Sequence, residues 1–421
     1  MLGLGHVTAS GVAVIIGAGI YVLLGPAAAD AGGLVWLSFV VAAGLCALTA
    51  FSYMELSSMY PKAGSEHEFT RHAFPPVVSF SAGWAMTTGL IVASASVALG
   101  FARYMGEFVD VNERTMAWGI VLVMALVSAA GMERAAWVVV AMGSVEIGSL
   151  VVVTIVGLPD IGRHSLVEGG SVSGVAAAAG LIFFAFIGFD EVITLAEETH
   201  QPARNIPRAL LLSLGISTVL YVAVAAVSVG VLGSDELARA ERPLASVMEA
   251  AVGGNWRGPM AVAALLSTGS TVLLLLTASA RMIYGMASTG ALPSSFALVV
   301  ARRVPARALV VVVALASALV LLEDFSLLAA ATDALVYFIF VLVNLTVIVL
   351  RFRRPDHPRP YRVRGTVRGV AVVPVLGIIV TLAVALRLDA DAGVLALVLL
   401  AAGVLSWFLL GGNHPRGAGA R

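Results

Sequence analysis

Three places in this 421-residue chain combine residue types and spacings that could do chemistry in an apolar setting. Two are glycine-rich interruptions of apolar stretches, one at Gly17–Gly19 and one running from Phe184 to Gly188. The third is Glu146, a lone carboxylate in an apolar segment. The seven histidines have no metal-ligand spacing, and the sequence contains neither a phosphate-binding loop nor a Gly-x-Ser-x-Gly motif. The chemistry indicated is therefore binding rather than catalysis, with no metal and no other cofactor.

The two glycine-rich interruptions could expose backbone groups to a ligand. Glycine lowers the cost of leaving the helical conformation and lets a ligand approach the backbone. In hydrocarbon, the N–H and C=O groups of an unwound turn need partners. We expect the amides of Gly17–Gly19 to bind a carboxylate and the carbonyls near Phe184, Ala185 and Ile187 to bind an ammonium. A zwitterion fits both, whereas the alternative is that these glycines only pack against neighbouring helices.

Glu146 stands near the middle of its apolar stretch. A carboxylate at the centre of a bilayer costs about 2.5–3.5 kcal/mol on insertion scales, so it should face the interior of a helix bundle. Our hypothesis is that Glu146 takes up and releases a proton, or is half of a cation site completed by the hydroxyls of Thr268, Ser270 and Thr271. The alternative is a permanently protonated carboxyl that donates to a backbone carbonyl.

Composition defines the setting in which these residues must work. The chain is 60% hydrophobic and 12% charged, against about 45–50% and 25% in soluble domains. A soluble protein is therefore excluded. The 25 basic and 25 acidic residues cancel, which argues against nucleic acid as a partner, and the single cysteine excludes a disulfide framework. The protein must be polytopic, with the lipid bilayer as its solvent.

The elements that carry these residues are predicted to be transmembrane helices of about 20 apolar residues each. Continuous apolar runs without alternation predict an all-α polytopic membrane protein rather than a barrel. Twelve stretches qualify, near 8–30, 33–58, 76–108, 116–131, 136–159, 174–198, 207–232, 257–290, 307–322, 327–350, 370–387 and 392–411. If the N-terminus is cytoplasmic, 18 basic residues fall inside and 7 outside. Both termini are therefore expected in the cytoplasm, with the chain in the plasma membrane.

Four motifs, taken together, resemble a known family. GVAVIIGAGIYVLLG is similar to the first-helix signature of the amino acid–polyamine–organocation (APC) superfamily. FFAFIGFDEVITLAEETHQPARNIPRAL resembles the sixth helix and following loop of its cationic-amino-acid-transporter-like branch. MYPKAGSEHEFTRHAF and RMIYGMASTGALP resemble an inner loop and the end of the eighth helix. The order and spacing of these motifs agree with that family from about residue 2 to 410.

The resemblance implies a LeuT-like fold with discontinuous helices 1 and 6. Five plus five helices in inverted repeat would occupy residues 1–162 and 170–351, followed by a basic loop, two more helices and a short tail in 352–421. It also implies secondary transport of α-amino acids by alternating access. The residues it implies at the substrate are Ile16, Gly17, Ala18 and Gly19 for the carboxylate, and Phe184, Ala185 and Ile187 for the ammonium. Phe186 and Phe189 are candidates for an aromatic gate, with plain packing as the alternative.

One position departs from the family pattern. Proton-coupled relatives commonly carry a lysine on the fifth helix, and VEIGSLVVVTIVGL places Glu146 there. A carboxylate at that position needs a proton or a cation beside it. The coupling ion, proton or sodium, therefore stays open.

Several functional alternatives remain after the resemblance. The chain could be an exchanger or a sodium-coupled symporter of the same fold, or a sensor or accessory subunit that binds without transporting. An enzyme acting on lipid-linked substrates would need clustered polar residues at one membrane face, which the sequence lacks. The apolar residues around the interruptions favour small or neutral amino acids, and the oligomeric state is left open. Cationic amino acids are the alternative, because Glu146 or Asp190 could approach a distal amine, whereas polyamines lack the carboxylate.

Two further acidic residues are assigned by their position. Asp190 is expected to cap the second half of helix 6, with substrate contact as the alternative. Asp333, which borders the tenth span, is expected to be solvated in a loop, with a place in the outer vestibule as the alternative.

Overall fold

The computed structural model describes residues 2–61, 65–299, 305–367 and 369–409. This part of the chain is mostly helical, and its only strands, β1 (Thr366–Val367) and β2 (Val370–Ala371), form one antiparallel hairpin. The helices are α1 (Leu4–Ile15), α2 (Ala18–Ala31), α3 (Val35–Met59), α4 (Ser65–Thr70), α5 (Pro76–Met105), α6 (Glu113–Ala129), α7 (Met132–Gly157), α8 (Val172–Ile182), α9 (Pro202–Leu232), α10 (Ser234–Arg239), α11 (Pro243–Val252), α12 (Arg257–Ser288), α13 (Ala306–Val320), α14 (Phe325–Arg353), α15 (Val372–Ala385) and α16 (Ala390–Leu409). Short 3-10 helices occupy Gly32–Leu34, Leu158–Asp160, Phe183–Phe186, Phe189–Glu198 and Ser294–Ala297.

Among the described residues, eight stretches are long and apolar enough to cross a membrane. They are Ala18–Met59, Pro76–Met105, Trp137–Asp160, Val172–Ile193, Pro202–Leu232, Arg257–Ser288, Phe325–Arg353 and Ala390–Leu409. Four shorter apolar helices accompany them: Leu4–Ile15, Pro243–Val252, Ala306–Val320 and Val372–Ala385. A mostly helical, multi-pass membrane protein is confirmed. The count of twelve spans stays a prediction, and the predicted tail beyond residue 409 lies outside the described residues.

The helices differ strongly in how much of their surface is buried by other helices. α5 lies at the centre, packed against α12 and α14, while α3 packs against α9. By contrast, α7 and α16 expose large apolar side chains, such as Trp137, Ile155 and Leu397. In water such surfaces would be unfavourable, whereas lipid tails solvate them. The burial pattern therefore sets a packed interior apart from a lipid-facing periphery.

A buried ion pair ties α3 to the end of α14. Glu55 and Arg351 are both almost inaccessible, and Arg351 donates from Nε to Glu55 Oε1 at 3.1 Å and from Nη2 to Oε2 at 2.5 Å. Arg359 adds a second positive charge 3.2 Å from Oε1, and the amide of Val363 donates to Oε2 at 2.8 Å. The segment that follows α14 is thereby fastened onto the helical bundle.

Candidate functional site

The first predicted interruption is present as a break between α1 and α2. Ile16 and Gly17 have extended backbone conformations, with ψ of 102° at Ile16 and φ of −144° at Gly17. The sequence IIGAG explains the position, because glycine tolerates the break while the apolar residues on either side restart the helix. The first amides of α2 lack intrahelical partners and point their partial positive charge at the break.

The second interruption, in the predicted sixth span, is longer. α8 ends at Ile182, a 3-10 turn covers Phe183–Phe186, and Ile187 is extended with ψ of 139°. Gly188 follows with φ of +101°, a left-handed conformation that residues with a Cβ rarely adopt. A second 3-10 helix then runs over Phe189–Glu198. The predicted discontinuity of both helices is confirmed.

The two breaks meet inside the bundle. A Cβ placed on Gly19 would lie 2.4 Å from Ala185 Cβ and 2.6 Å from Ala185 Cα. A Cβ on Gly188 would lie 2.8 Å from Val14 Cγ1. Glycine is therefore required at these positions because the broken segments approach more closely than side chains allow.

Tyr221, on α9, joins the two breaks through its hydroxyl, and the sequence analysis did not single it out. The hydroxyl donates to Ile15 O at 2.8 Å, lies 3.3 Å from Ala185 O, and accepts from Gly17 N at 3.4 Å. The residue is fully buried. The sequence feature that could have identified it is a tyrosine within an apolar span, because a buried phenol needs a hydrogen-bond partner.

Thr271, on α12, lies beside the break between α1 and α2. Its Oγ1 accepts from Ala18 N at 3.4 Å and donates to Ser267 O at 2.9 Å. A Cβ on Gly17 would stand 2.7 Å from the same oxygen. The amide of Gly17 donates to the Tyr221 hydroxyl and that of Ala18 to Thr271 Oγ1, each at 3.4 Å. Both are long hydrogen bonds. These amides are therefore available to a better acceptor.

A cavity of about 30 Å³ lies between the breaks, roughly the volume of one water molecule. The site is therefore almost closed in this conformation. Its lining residues are Val14, Ile15, Gly17, Ala18, Gly19, Ala93, Val97, Phe184, Ala185, Ile187, Thr271 and Leu275. Ala93, Val97 and Leu275 come from α5 and α12 and were missed, because nothing in their local sequence says which face of a helix meets the breaks. No lining residue carries a charge.

Three of the residues predicted to contact the substrate lie outside this lining. Ile16 is buried beside the break. Phe186 packs edge-on against Tyr221, with ring centroids 5.4 Å apart. Phe189 packs edge-on between Tyr53 and Phe340, at 5.7 Å from each. A gating role for the two phenylalanines stays a prediction, while Phe184 is the aromatic side chain that lines the cavity.

Glu146 lies buried where α7 faces α12. Its Oε1 accepts a hydrogen bond of 2.5 Å from Ser267 Oγ, and its Oε2 is buried with no partner among the described residues. The hydroxyl of Tyr21, on α2, is hydrogen-bonded to Ser149 Oγ at 2.5 Å and lies 3.4 Å from Glu146 O. The carboxyl group therefore faces the bundle interior, one helical turn along α12 from Thr271.

The hydroxyls expected beside Glu146 are arranged differently from the prediction. Thr268 Oγ1 donates to Ala264 O at 2.7 Å, and Ser270 Oγ donates to Ser267 O at 2.8 Å. Ser267 makes the contact to the carboxyl instead. Ser267 could have been found from the sequence, since it lies four residues before Thr271 and so on the same helical face.

Two further carboxylates of the broken helix and of α14 are buried. Asp190 lies in the first turn of the 3-10 helix Phe189–Glu198, as expected, with Gly188 at the N-cap position. Asp333 was expected to be solvated in a loop, and this was wrong. It lies within α14 and is 2% exposed, because α14 is packed against α3, α5, α15 and α16.

Comparison with known proteins gives a consistent picture over nearly the whole chain. A family model described as amino acid permease matches residues 2–405. The branched-chain amino acid permease BcaP of Bacillus subtilis (strain 168) is 30% identical over 99% of this chain and 94% of that protein. The methylthioribose transporter of the same organism is 28% identical over 97% of this chain and 92% of that protein. Cationic amino acid transporter 4 of Homo sapiens is 28% identical over 83% of this chain and 60% of that protein.

Proposed function

Because the chain belongs to the amino acid permease family, we propose that it is a secondary active transporter that carries α-amino acids across the plasma membrane by alternating access. Its relatives are permeases and transporters rather than enzymes. The observation that carries the proposal is the meeting of two broken helices around a cavity with free backbone groups. The amides of Gly17 and Ala18 have only long contacts to hydroxyl oxygens, so a substrate carboxylate is the stronger acceptor.

The ammonium group of the substrate takes the opposite side of the cavity. Ala185 O lies 3.3 Å from the Tyr221 hydroxyl, whose proton is donated to Ile15 O at 2.8 Å, so a charged ammonium donor would give Ala185 O a stronger bond. Phe184 and Ile187, which line the cavity, supply the neighbouring carbonyls. The carboxylate and ammonium of one α-amino acid thus bridge the two breaks.

We propose small or neutral amino acids as substrates, because the side-chain part of the site is apolar. Val14, Ala93, Val97 and Leu275 offer no charge to a distal amine or carboxylate. Similarity to a branched-chain permease supports this choice. Similarity to a methylthioribose transporter and to cationic amino acid transporters makes methylthioribose and cationic amino acids the alternative substrates to be tested.

The substrate proposal is tested by thermal shift of the purified protein with each of the twenty amino acids and with methylthioribose. We expect neutral aliphatic amino acids to raise the melting temperature and to drive counterflow in proteoliposomes. Stabilisation by methylthioribose alone would contradict amino acid transport. Stabilisation by an amino acid without any counterflow would identify a sensor.

The proposed architecture has twelve spans, with two inverted repeats over 1–162 and 170–351 and two further helices within 352–421. Similar breaks near the start of each half support the repeat, because glycine-interrupted helices in matching positions are typical of such transporters. Both termini are proposed to be cytoplasmic. Cysteine labelling from either side of the membrane, at single sites in the Cys46→Ser background, tests each loop.

We propose that Glu146 couples transport to a proton. The contact chain from Ala18 N through Thr271 and Ser267 reaches its carboxyl group, so substrate at the break can alter the environment of Glu146. Glu146→Gln should abolish uptake driven by a pH gradient, while Glu323→Gln, at an exposed position, should not. Unchanged gradient-driven uptake in Glu146→Gln would remove the coupling role, and dependence on sodium would identify the sodium-coupled alternative.

A further inference from the structure

Asp333 is a second buried carboxyl group, outside the cavity and the Glu146 site. It lies eight residues after Phe325, the first residue of α14, which is about 12 Å along the helix axis. The residue is 2% exposed, and its Oδ1 is buried without a hydrogen-bond partner among the described residues. An ionised carboxylate in such surroundings needs a cation or a proton.

The neighbours of Asp333 offer polar atoms but no compensating charge. Tyr337 follows one turn later on the same face of α14, and its hydroxyl is also buried and unpartnered in the described structure. Cys46, on α3, is completely buried and lies within electrostatic range of Asp333 and Tyr337. This group of three side chains, Cys46, Asp333 and Tyr337, is termed the α14 cluster.

The ionisable groups of the surrounding elements leave Asp333 without a nearby cation. The broken sixth span contributes Asp190, which is within electrostatic range of Cys46. On α5, the charged residue within Pro76–Met105 is Arg103, which lies over the Phe325 ring at 5.5 Å from its centroid and near Glu113. Arg103 is therefore about 12 Å away along α14 from Asp333.

The other helices in contact with α14 do not place a positive charge near Asp333 either. α15 has no charged residue in its described range, Val372–Ala385, and Asp391 of α16 is exposed in the first turn. α4 carries Glu66, His67 and Glu68, but it lies towards the far end of α14, where Arg353 donates to Ala73 O at 2.8 Å. On α14 itself, Arg351 is paired with Glu55 of α3, about 27 Å along the helix from Asp333. No cationic side chain of the described residues therefore neutralises Asp333, and a proton does so without any further ligand.

The α14 cluster is in physical contact with the broken sixth span. The Phe183 ring packs against the Tyr337 ring, with centroids 4.7 Å apart. Phe183 begins the 3-10 turn whose next residue, Phe184, lines the cavity. Any movement of this turn on substrate binding or release must therefore move the aromatic side chain that covers Tyr337, and with it the access of water to Asp333.

We propose that Asp333 is a proton-binding site of the transport cycle, distinct from Glu146. The proton enters from water as the carboxylate becomes the neutral carboxyl, and leaves to water on the opposite side when the sixth span rearranges. Tyr337 positions the carboxyl group rather than binding the substrate. This proposal rests on the proposed transport function, which it extends by naming a second protonatable group.

The test compares Asp333→Asn and Asp333→Glu with the matched control Asp324→Asn in proteoliposomes. Asp324 caps the same helix through Leu327 N at 2.9 Å, and asparagine also caps helices well. Asp333→Asn should retain counterflow of a neutral amino acid and lose the stimulation by an inward proton gradient. Asp333→Glu should recover part of that stimulation, and Asp324→Asn should keep all of it.

A second measurement, which does not depend on transport, tests the proposal if a variant fails to fold or if the protein transports nothing. Infrared difference spectra of the wild-type protein labelled with ¹³C-aspartate, recorded between acid and alkaline pH, should contain a titrating carboxyl band that is missing in Asp333→Asn or shifted in Tyr337→Phe. Full gradient stimulation in Asp333→Asn, or no such band, would overturn the proposal. Counterflow by the wild-type protein without any pH dependence would also overturn it while leaving amino acid transport intact.

Discussion

At the scale of single residues, Tyr221 is the side chain that links the two broken helices. Its hydroxyl contacts Ile15 O, Ala185 O and Gly17 N, the same kinds of backbone group that a zwitterion would engage. Two carbonyls and an amide from different broken helices thus share one phenol.

The first prediction concerns removal of this hydroxyl. Tyr221→Phe leaves buried backbone groups unpaired, so the ligand-free protein should lose about 1–3 kcal/mol of stability. Substrate replaces the missing bonds, so the thermal shift caused by a neutral amino acid should be larger than in the wild-type protein. Tyr284→Phe, at a partly exposed tyrosine of α12, serves as the control. Equal losses of stability with and without substrate would argue against contact between the head group and Tyr221.

The second prediction concerns the closest approach of the two breaks. In Gly19→Ala, the new methyl group would overlap Ala185 Cα and Cβ at 2.6 and 2.4 Å, so the segments must separate. Overpacking of this kind costs about 1–3 kcal/mol, and counterflow should be abolished. Gly119→Ala is the matched control, because a Cβ there meets nothing within 4 Å. Normal transport by Gly19→Ala would mean that the breaks do not need this contact.

At the scale of elements, the short helix α4 shows how a segment between candidate spans is fastened to its neighbours. Tyr53 donates to Glu66 Oε1 at 2.8 Å, and His67 Nδ1 lies 2.9 Å from Ser79 O. Since a carbonyl can only accept, Nδ1 carries the proton in this contact. α4 is thereby linked to both α3 and α5.

The third prediction follows from the burial of His67. Burial is the main cause that lowers the pKa of His67 below its usual value, near about 6.5. The unfolded chain then binds more protons than the folded one, so the stability contributed by neutral His67 is lost as the pH falls through about 6.5. His67→Gln should flatten the dependence of the melting temperature on pH in this range, while His6→Gln, at an exposed position, should leave it unchanged. An unaltered slope in His67→Gln would assign the pH dependence to other groups.

At the scale of the whole molecule, the segment after α14 is held by a network of buried charges. Glu55 is 1% exposed and Arg351 is 3% exposed. The network joins α3, α14 and the residues that lead to the hairpin β1–β2. Helices from the first and second halves of the chain are thus tied together at one end.

The fourth prediction tests this tie. Glu55→Gln leaves two buried guanidinium groups without their counter-charge, and breaking a buried pair costs about 3–5 kcal/mol. Glu323→Gln removes the partner of Arg114 in an exposed pair, which contributes about 0–1 kcal/mol. Thermal melts in detergent should separate the two variants clearly. Similar melting temperatures would show that the buried network adds little to stability.

By itself, the sequence determined the solvent of this protein, its helical class and the places where two helices break. Those properties depend on local composition, since long apolar runs require lipid and glycines within such runs lower the cost of leaving the helical conformation. The family also followed from motifs close together along the chain. Glu146 was found because a charge in an apolar run is visible without coordinates.

The tertiary structure alone decided which side chains surround the breaks. The side chains around the breaks come from helices far away in sequence, and they are Tyr221, Ser267, Ala93, Val97 and Leu275. Helical periodicity shows which residues share one face of a helix, but not which other helix packs against that face. The same limit explains why Asp333 was expected in a loop and lies in the core instead. Contacts between distant helices depend on how the helices pack as a whole, and no local pattern of residues encodes that arrangement.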